Sequence, residues 1–307
     1  MLTERPRPLP FPAMGEHASW EFEEGTEVHP GRTVLKPIGG GNRYEVFLVW
    51  DDSLFALGVA KLLRPDQAGD EKALRDLSRE VEALRALAHP TLVRSFDAVL
   101  DGPHPHVLIE HLEGPSLRRL IRRDGAISLQ QLLPLAANVA GALQYMANSG
   151  YVHLDVKPDN IVMGLPPRLL DLSVARTLER AARTDGPIGT DPYMAPEQCV
   201  GESAGQRIGP PADAWGLGAT LFHAIAGEKP FLAGWGDRGA ERFPQLVEDP
   251  MPLPRGVPAP LRELIGELLD RDPSRRPSCG EVVERLEPLI AAQPRKMRLS
   301  RRGAAGS

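Results

Sequence analysis

Apolar residues change their spacing near residue 113, and that change limits the folds open to this chain. Between Thr33 and His111 they gather in short runs of the strand type: Val34 to Ile38, Glu45 to Trp50, Phe55 to Leu62, Ser95 to Leu100 and His106 to His111. Asp51-Asp52-Ser53 supplies turn residues between the second and third runs. One helix interrupts them. Leu74, Leu77, Val81, Leu84 and Ala88 recur at spacings of three and four, and Asp70 and Glu71 favour its start. After Glu113-Gly114-Pro115 helical stripes take over. Leu132, Leu135, Val139, Leu143 and Met146 form one, Leu261, Leu264, Ile265 and Leu268 another, and Val282, Val283, Leu286 and Leu289 a third. Five strands with one helix, followed by a mainly helical region, predict an α+β chain. With 307 residues, 42% of them hydrophobic and 25% charged, it is large enough for two cores sharing a cleft.

A short segment of the helical region concentrates polar chemistry. His153-Leu154-Asp155-Val156-Lys157-Pro158-Asp159-Asn160 sets a carboxylate, a lysine and a carboxamide at fixed offsets on a loop. Phosphoryl transfer needs such a set. Asp155 can accept a proton from an attacking hydroxyl, Lys157 can offset charge on the moving phosphate, and Asn160 can hold a metal ion. Upstream, Ile38-Gly39-Gly40-Gly41-Asn42-Arg43-Tyr44-Glu45-Val46 is a glycine loop between two strands. Without Cβ atoms, Gly39, Gly40 and Gly41 let backbone N–H groups approach phosphate oxygens. Val59-Ala60-Lys61 ends the next strand, and Glu80 lies on the helix ahead of His89-Pro90. Downstream stand Asp171-Leu172-Ser173, Gly189-Thr190-Asp191-Pro192-Tyr193-Met194-Ala195-Pro196-Glu197, Asp213-Ala214-Trp215-Gly216-Leu217-Gly218 and Arg276-Pro277.

These motifs, in this order and over roughly residues 30 to 292, resemble the protein kinases. Lys157-Pro158 after the aspartate is similar to the serine/threonine branch, and 31 prolines with abundant arginine point to its bacterial, eukaryotic-like form. The resemblance implies a two-lobed fold, with a small five-stranded antiparallel sheet plus one helix and a larger mainly helical lobe. It implies transfer of the γ-phosphate of ATP to a serine or threonine hydroxyl of a protein, the chain itself included. Lys61 would pair with the α- and β-phosphates and be held by Glu80. Asp155 would orient and deprotonate the acceptor, and Asn160 and Asp171 would hold two Mg²⁺ ions through hard oxygen atoms. Ile38, Gly39, Gly40, Gly41 and Asn42 would cover the nucleotide. Val46, Val59 and Val162 would sandwich adenine, and backbone groups of Glu110 and Leu112 would bond its edge, with Ile109 behind. Thr190 would bridge Asp155 and Lys157. His153, Asp213 and Trp215 are expected to be scaffold, and Glu197 with Arg276 a buried ion pair. His104 and His106 could share a strand face as a metal pair, but with no third ligand in view they are expected to be loop histidines.

Three positions depart from the family pattern. Tyr44 replaces the third glycine, and its ring either folds over the phosphates or lies outward. Leu154 replaces the arginine that commonly binds a phosphate on the activation loop, which predicts activity without phosphorylation of Thr177 or Thr184. Leu172-Ser173 replaces Phe-Gly, which predicts an altered loop with its metal ligand kept. Two rival readings are a pseudokinase that binds ATP as a scaffold, motivated by Tyr44 and Ser173, and a small-molecule kinase. Intact Lys61, Glu80, Asp155, Asn160 and Asp171 argue against the first. The Ala195-Pro196-Glu197 segment and the helix carrying Asp213 and Trp215 argue against the second.

Outside this pattern, residues 1–29 read as a flexible leader, unstructured or loosely docked, proline-rich over Arg5 to Pro12 and then acidic at Glu16, Glu21, Glu23, Glu24 and Glu27, a solvated surface segment with partner docking as the second reading. Residues 30–113 form the small lobe and 114–292 the large one. Residues 293–307 read as a basic, disordered tail, with attraction of Arg295 to Arg302 to an anionic membrane as the second reading. A net charge of −5 gives no sign of a nucleic-acid partner. No apolar run approaches the roughly 20 residues that span a bilayer. Two cysteines and the lack of a signal-like start point to a reducing cytoplasm.

Overall fold

The computed structural model describes residues 18–200, 205 and 207–293. The proline-rich run from Arg5 to Pro12, Glu16 and the basic residues Arg295 to Arg302 lie outside the described residues. The chain divides into two compact units. One ends at Leu112, and the other begins at Glu113 but also takes in His89–Leu92. Those four residues belong there because Leu169 donates its N–H to the Thr91 carbonyl (2.6 Å) and Leu92 bridges to Leu169.

Among the described residues the first unit is a six-stranded antiparallel sheet, one strand more than the spacing predicts, with a single long helix. Its strands are β1 (Glu27–His29), β2 (Arg32–Gly40), β3 (Tyr44–Asp51), β4 (Ala56–Leu63), β5 (Ser95–Val99) and β6 (His106–Glu110), in the order β1-β2-β3-β4-β6-β5. The extra strand, β1, falls in the acidic leader, where flanking Glu27 and His29 mask the strand pattern around buried Val28. Pairing partners point to the same face of a sheet, so register fixes what each face carries. Val46 pairs with Lys61 and Leu48 with Val59, which sets Tyr44, Val46, Val59 and Lys61 on one face. Phe47, Val49, Ala60, Leu62 and Leu108 occupy the other and form a buried cluster with Val28 and Val34.

That second face is covered by residues of the leader. Phe22 packs on the cluster, its ring 5.6 Å from those of both Trp20 and Phe47. His104 meets the Trp20 and Phe22 rings edge-on. Buried Arg32 crosses the sheet. It donates to Asp51 (2.9 Å), to Asp97 (2.9 Å) and to Nε2 of His106 (2.5 Å). His106 is therefore no loop histidine: it opens β6, fully buried, and its Nδ1–H donates to the His104 carbonyl (2.6 Å). Burial pushes the His106 imidazole down to about 4.

Helix α1 (Glu71–Ala86) starts where Asp70 accepts from the Ala73 N–H (2.7 Å). It buries Ala73, Leu77, Val81 and Leu84. Glu80 lies beside that stripe and is buried too.

The second unit is mainly helical: α2 (Leu117–Asp124), α3 (Leu129–Asn148), α4 (Leu178–Ala182), α5 (Pro196–Val200), α6 (Pro210–Ala226), α7 (Gly239–Arg242), α8 (Ala259–Leu268) and α9 (Cys279–Ala291). Four two-residue strands make two small ladders. Strand β7 (Tyr151–Val152) pairs with β10 (Arg176–Thr177), and β8 (Ile161–Val162) pairs with β9 (Arg168–Leu169). The helix α6 is buried along nearly its whole length, including Asp213, Trp215 and His223, and is apolar almost all round, as an enclosed helix must be. Helix α3 buries the predicted stripe of Leu132, Leu135, Val139, Leu143 and Met146. Among the described residues no helix is long and apolar enough to cross a membrane.

Candidate active site

In the first unit Lys61 and Glu80 form an ion pair. Lys61 Nζ lies 2.7 Å from Glu80 Oε1, with side-chain exposures of 12% and 3%. Strand β4 carries the lysine and α1 the glutamate, so the contact depends on how helix and sheet pack. Tyr44 does not lie outward. Its ring is buried beneath Lys61, whose ammonium sits 4.4 Å from the ring centroid. This inward turn follows from register, since Tyr44 is two residues from Val46 on the lysine's face. The ring offers its negative face to the cation without displacing Glu80.

The glycine loop is a tight β2–β3 reversal. Gly41 donates to the Tyr44 carbonyl (2.9 Å), and Gly40 adopts φ +153°. A Cβ at Gly40 would fall 2.8 Å from the Tyr44 carbonyl, so the turn requires glycine there. A Cβ at Gly39 or Gly41 would meet nothing within 4 Å, so both backbones lie open. Ile38 and Asn42 flank them and are exposed. Arg43, at the tip, donates to Asp76 of α1 (2.8 Å) and links the loop to the helix carrying Glu80. At the end of β6, Glu110 spends its N–H on the Arg94 carbonyl (2.9 Å), and its carboxylate accepts from the Arg94 N–H (2.8 Å). Any bond from Glu110 to a base must therefore come from its carbonyl. Leu112 follows in irregular backbone.

In the second unit the loop between β7 and the turn Pro158–Asn160 gathers Asp155, Lys157, Asn160 and Thr190. Lys157 Nζ donates to Asp155 Oδ2 (2.6 Å) and to Thr190 Oγ1 (2.6 Å), and Thr190 in turn donates to Asp155 Oδ1 (2.7 Å). Asn160 Nδ2 donates to the Asp155 carbonyl (2.9 Å) and to Asp155 Oδ2 (3.1 Å). With its NH₂ thus committed, Asn160 turns its amide oxygen away from Asp155. The β8–β9 ladder pairs Ile161 with Leu169, and Leu170 donates its N–H to the Asn160 carbonyl (2.7 Å). Asp171 is thereby brought to the neighbourhood of Asn160, in left-handed backbone with φ +64°. Ser173 N–H donates to Asp171 Oδ1 (3.3 Å). Val162 pairs with Arg168 and bridges to Ser116.

The scaffold residues sit as expected. Asp213 accepts from the N–H groups of His153 (2.8 Å) and Leu154 (2.7 Å), and burial raises its carboxyl above the usual range. These bonds hold Leu154 at φ +67°, a conformation few non-glycine residues adopt. His153 accepts at Nδ1 from the Asp155 N–H (3.2 Å) and so carries its proton on Nε2, which donates to the Leu170 carbonyl (3.0 Å). It is buried and positions the loop on both sides. Glu197 and Arg276 form a bidentate, buried pair at 2.6 and 2.9 Å, with the Trp215 ring 5.0 Å from the guanidinium.

Sequence reasoning passed over Gln198. Its buried amide donates to the carbonyls of Leu154 and Ile188, both 2.8 Å, and accepts from the Ala195 N–H (3.0 Å). One side chain thus joins the loop that carries Asp155 to the segment before α5. At Gly189 the two run so close that a Cβ would fall 2.7 Å from the Leu154 carbonyl. Nothing in the local sequence marks this glutamine, because its partners are distant backbone groups.

The sequence signature of the protein kinase domain matches residues 32–286. The chain belongs to the protein kinase domain family. Bacterial serine/threonine-protein kinases are among its curated relatives. It is 32% identical over 262 residues to the probable serine/threonine-protein kinase PkwA of Thermomonospora curvata, covering 84% of this chain and 34% of that one. It is 30% identical over 271 residues to the serine/threonine-protein kinase PknB of Mycobacterium leprae, covering 84% and 42%. The serine/threonine-protein kinase pkn2 of Myxococcus xanthus is 30% identical over 269 residues, with 82% and 32% covered. This kinase domain spans between about a third and two fifths of the length of those relatives. The fold expected from the resemblance, an antiparallel sheet unit and a mainly helical one, agrees with this membership.

Proposed function

We propose that the chain is an active serine/threonine protein kinase that transfers the γ-phosphate of ATP to a protein hydroxyl. The observation that carries the reading is the closed set around Asp155: Lys157, Thr190 and Asn160 all donate to its carboxylate. A carboxylate held by three donors has a fixed direction, which general-base work requires. It would accept the proton of the incoming serine or threonine as that oxygen bonds to the γ-phosphorus and ADP leaves. Lys157 would then lie against the charge building on the transferring group. Lys61, aligned by Glu80, would hold the α- and β-phosphates, and the open backbones of Gly39 and Gly41 would admit phosphate oxygens. Ile38 and Asn42 would flank the nucleotide. Val46, Val59 and Val162 would contact adenine, and Glu110 and Leu112 its edge.

The donor chemistry suits Mg²⁺. The outward amide oxygen of Asn160 and the carboxylate of Asp171 are hard oxygen ligands, too few to enclose an ion and fit for one that also keeps phosphate and water ligands. Bound there, the metal would neutralise phosphate charge. Substrates are proteins with a serine or threonine acceptor, the kinase itself included. The two free, buried cysteines support a reducing compartment, the cytoplasm. Incubation with γ-labelled ATP and Mg²⁺ tests the reading. Label should enter protein with the parent chain and not with Asp155→Asn, and equal labelling by both would overturn it.

A further inference from the structure

The leader, read from sequence as flexible, is joined through two buried charged residues to the glycine loop. Arg64 follows β4 and is 2% exposed, and Glu45 lies just after the loop and is 5% exposed. Arg64 Nε donates to the Gly41 carbonyl (2.7 Å), and its backbone N–H donates to the Arg43 carbonyl (3.0 Å). It thus grips the loop on both sides of the tip. The same guanidinium donates through Nη1 to the Ala18 carbonyl (3.0 Å).

Glu45 completes the arrangement. Its Oε1 accepts from the Ser19 hydroxyl (2.6 Å) and its Oε2 from the Trp20 N–H (2.9 Å). The distance from Arg64 Nη1 to Glu45 Oε1 is 3.4 Å, wider than a charge-assisted hydrogen bond. Trp20 is anchored by its indole N–H on the Leu63 carbonyl (2.8 Å), and Phe22 by the apolar cluster on the sheet. The leader therefore occupies both carboxylate oxygens and one edge of the guanidinium.

We propose that residues 18–22 are an intramolecular strap that positions the glycine loop for nucleotide through Arg64. With the strap in place, Glu45 is satisfied by Ser19 and Trp20, and Arg64 is left on Gly41. With it displaced, the buried carboxylate loses two donors, and the nearest replacement is the Arg64 fork, whose planar geometry matches a carboxylate bidentately. Turning to Glu45 withdraws Nε from the Gly41 carbonyl and loosens the loop. Arg64 is thus a positioning residue that touches no substrate. Any event that lifts Trp20 off the sheet is transmitted to the loop by two side chains. The nucleotide consequence rests on the kinase reading; the loop consequence does not.

The test uses the full chain with Ser19→Ala/Trp20→Ala. In the nucleotide-free protein, amide exchange across residues 39–45 should quicken about tenfold, the worth of one charge-assisted hydrogen bond. KM for ATP should rise by a similar factor while kcat stays within about twofold. Adding Glu45→Gln should restore slow exchange and low KM, because the amide no longer competes for Arg64. A strap that merely covers the sheet would give no such rescue. If the double variant unfolds, Arg64→Lys serves instead: lacking the fork, it should loosen the same residues with the strap still docked. Unchanged exchange at 39–45 in a variant whose own leader amides have quickened, or failure of Glu45→Gln to rescue, overturns the proposal. Failure of the parent to transfer phosphate would count against the kinase reading alone, since the exchange arm needs no nucleotide.

Discussion

Replacing Gln198 with methionine, close in size and unable to hydrogen-bond, should damage stability and catalysis together. The substitution removes donors from the Leu154 and Ile188 carbonyls and an acceptor from the Ala195 N–H. Ile188 is half-exposed, so water can reach its carbonyl, whereas Leu154 and Ala195 are buried. Two buried polar groups left without partners cost about 1–3 kcal/mol each, so the loss should be about 2–6 kcal/mol. The Leu154 carbonyl immediately precedes Asp155, so loosening it also shifts the proposed base. A misplacement of about 1 Å can cost roughly 100-fold in kcat. Gln198→Glu should be no milder, because it keeps the acceptor for Ala195 but turns an anion toward two carbonyl oxygens. Urea unfolding and steady-state phosphate transfer measured on the same preparations check both effects. A Gln198→Met protein within about 0.5 kcal/mol of the parent and equally active would refute the reasoning, because those backbone groups would then have other partners.

Three further outcomes follow from the same structure. Glu197→Ala should cost about 3–5 kcal/mol in unfolding free energy, because it strands the buried Arg276 guanidinium; a loss below about 1 kcal/mol would contradict the burial argument. Phosphatase treatment should leave activity intact, since Leu154 offers no phosphate ligand and the Thr177 and Thr184 hydroxyls are engaged with Arg180 backbone groups; activity lost to phosphatase and restored by rephosphorylation would reverse that conclusion. The pH dependence of stability should carry the mark of His106, whose pKa is pushed down to about 4 by burial. The unfolded imidazole gains its proton as pH falls through about 6.5 while the folded one stays neutral, so stability is full above that value and declines toward pH 4, by about 3 kcal/mol in all. His223, lowered to about 4 by burial, adds in the same sense. Thermal midpoints from pH 8 to pH 4 test this, and His106→Gln should flatten the decline.

What the sequence made legible depended on whether a residue's role is set locally. Lys61, Glu80, Asp155, Lys157, Asn160 and Asp171 stand in short motifs at fixed offsets, and the Lys61–Glu80 and Asp155–Lys157 contacts were foreseeable from them. Helix α1 could be read because one apolar stripe and one capping aspartate define it. The leader could not. Trp20 and Phe22 sit among glutamates, and their burial comes from Phe47 and His104, which are distant along the chain. His106 opens a strand-type run, but its burial is hidden until Arg32 is seen to approach from another strand. Gln198, Arg64 and Glu45 act on carbonyl and amide groups, which every residue carries and no pattern marks. Tyr44 was ambiguous because its direction is decided by the β3–β4 register. Two-residue strands such as β7 and β10 are too short to show a period.

Mass-spectrometric mapping of phosphosites after incubation of the chain with Mg²⁺ and ATP tests the central claim most directly. The account predicts phosphate on serine or threonine hydroxyls, of the chain itself or of an added protein, that is absent when Asp155→Asn replaces the parent. Phosphate confined to tyrosine, or sites formed equally by the Asp155→Asn chain, would contradict it.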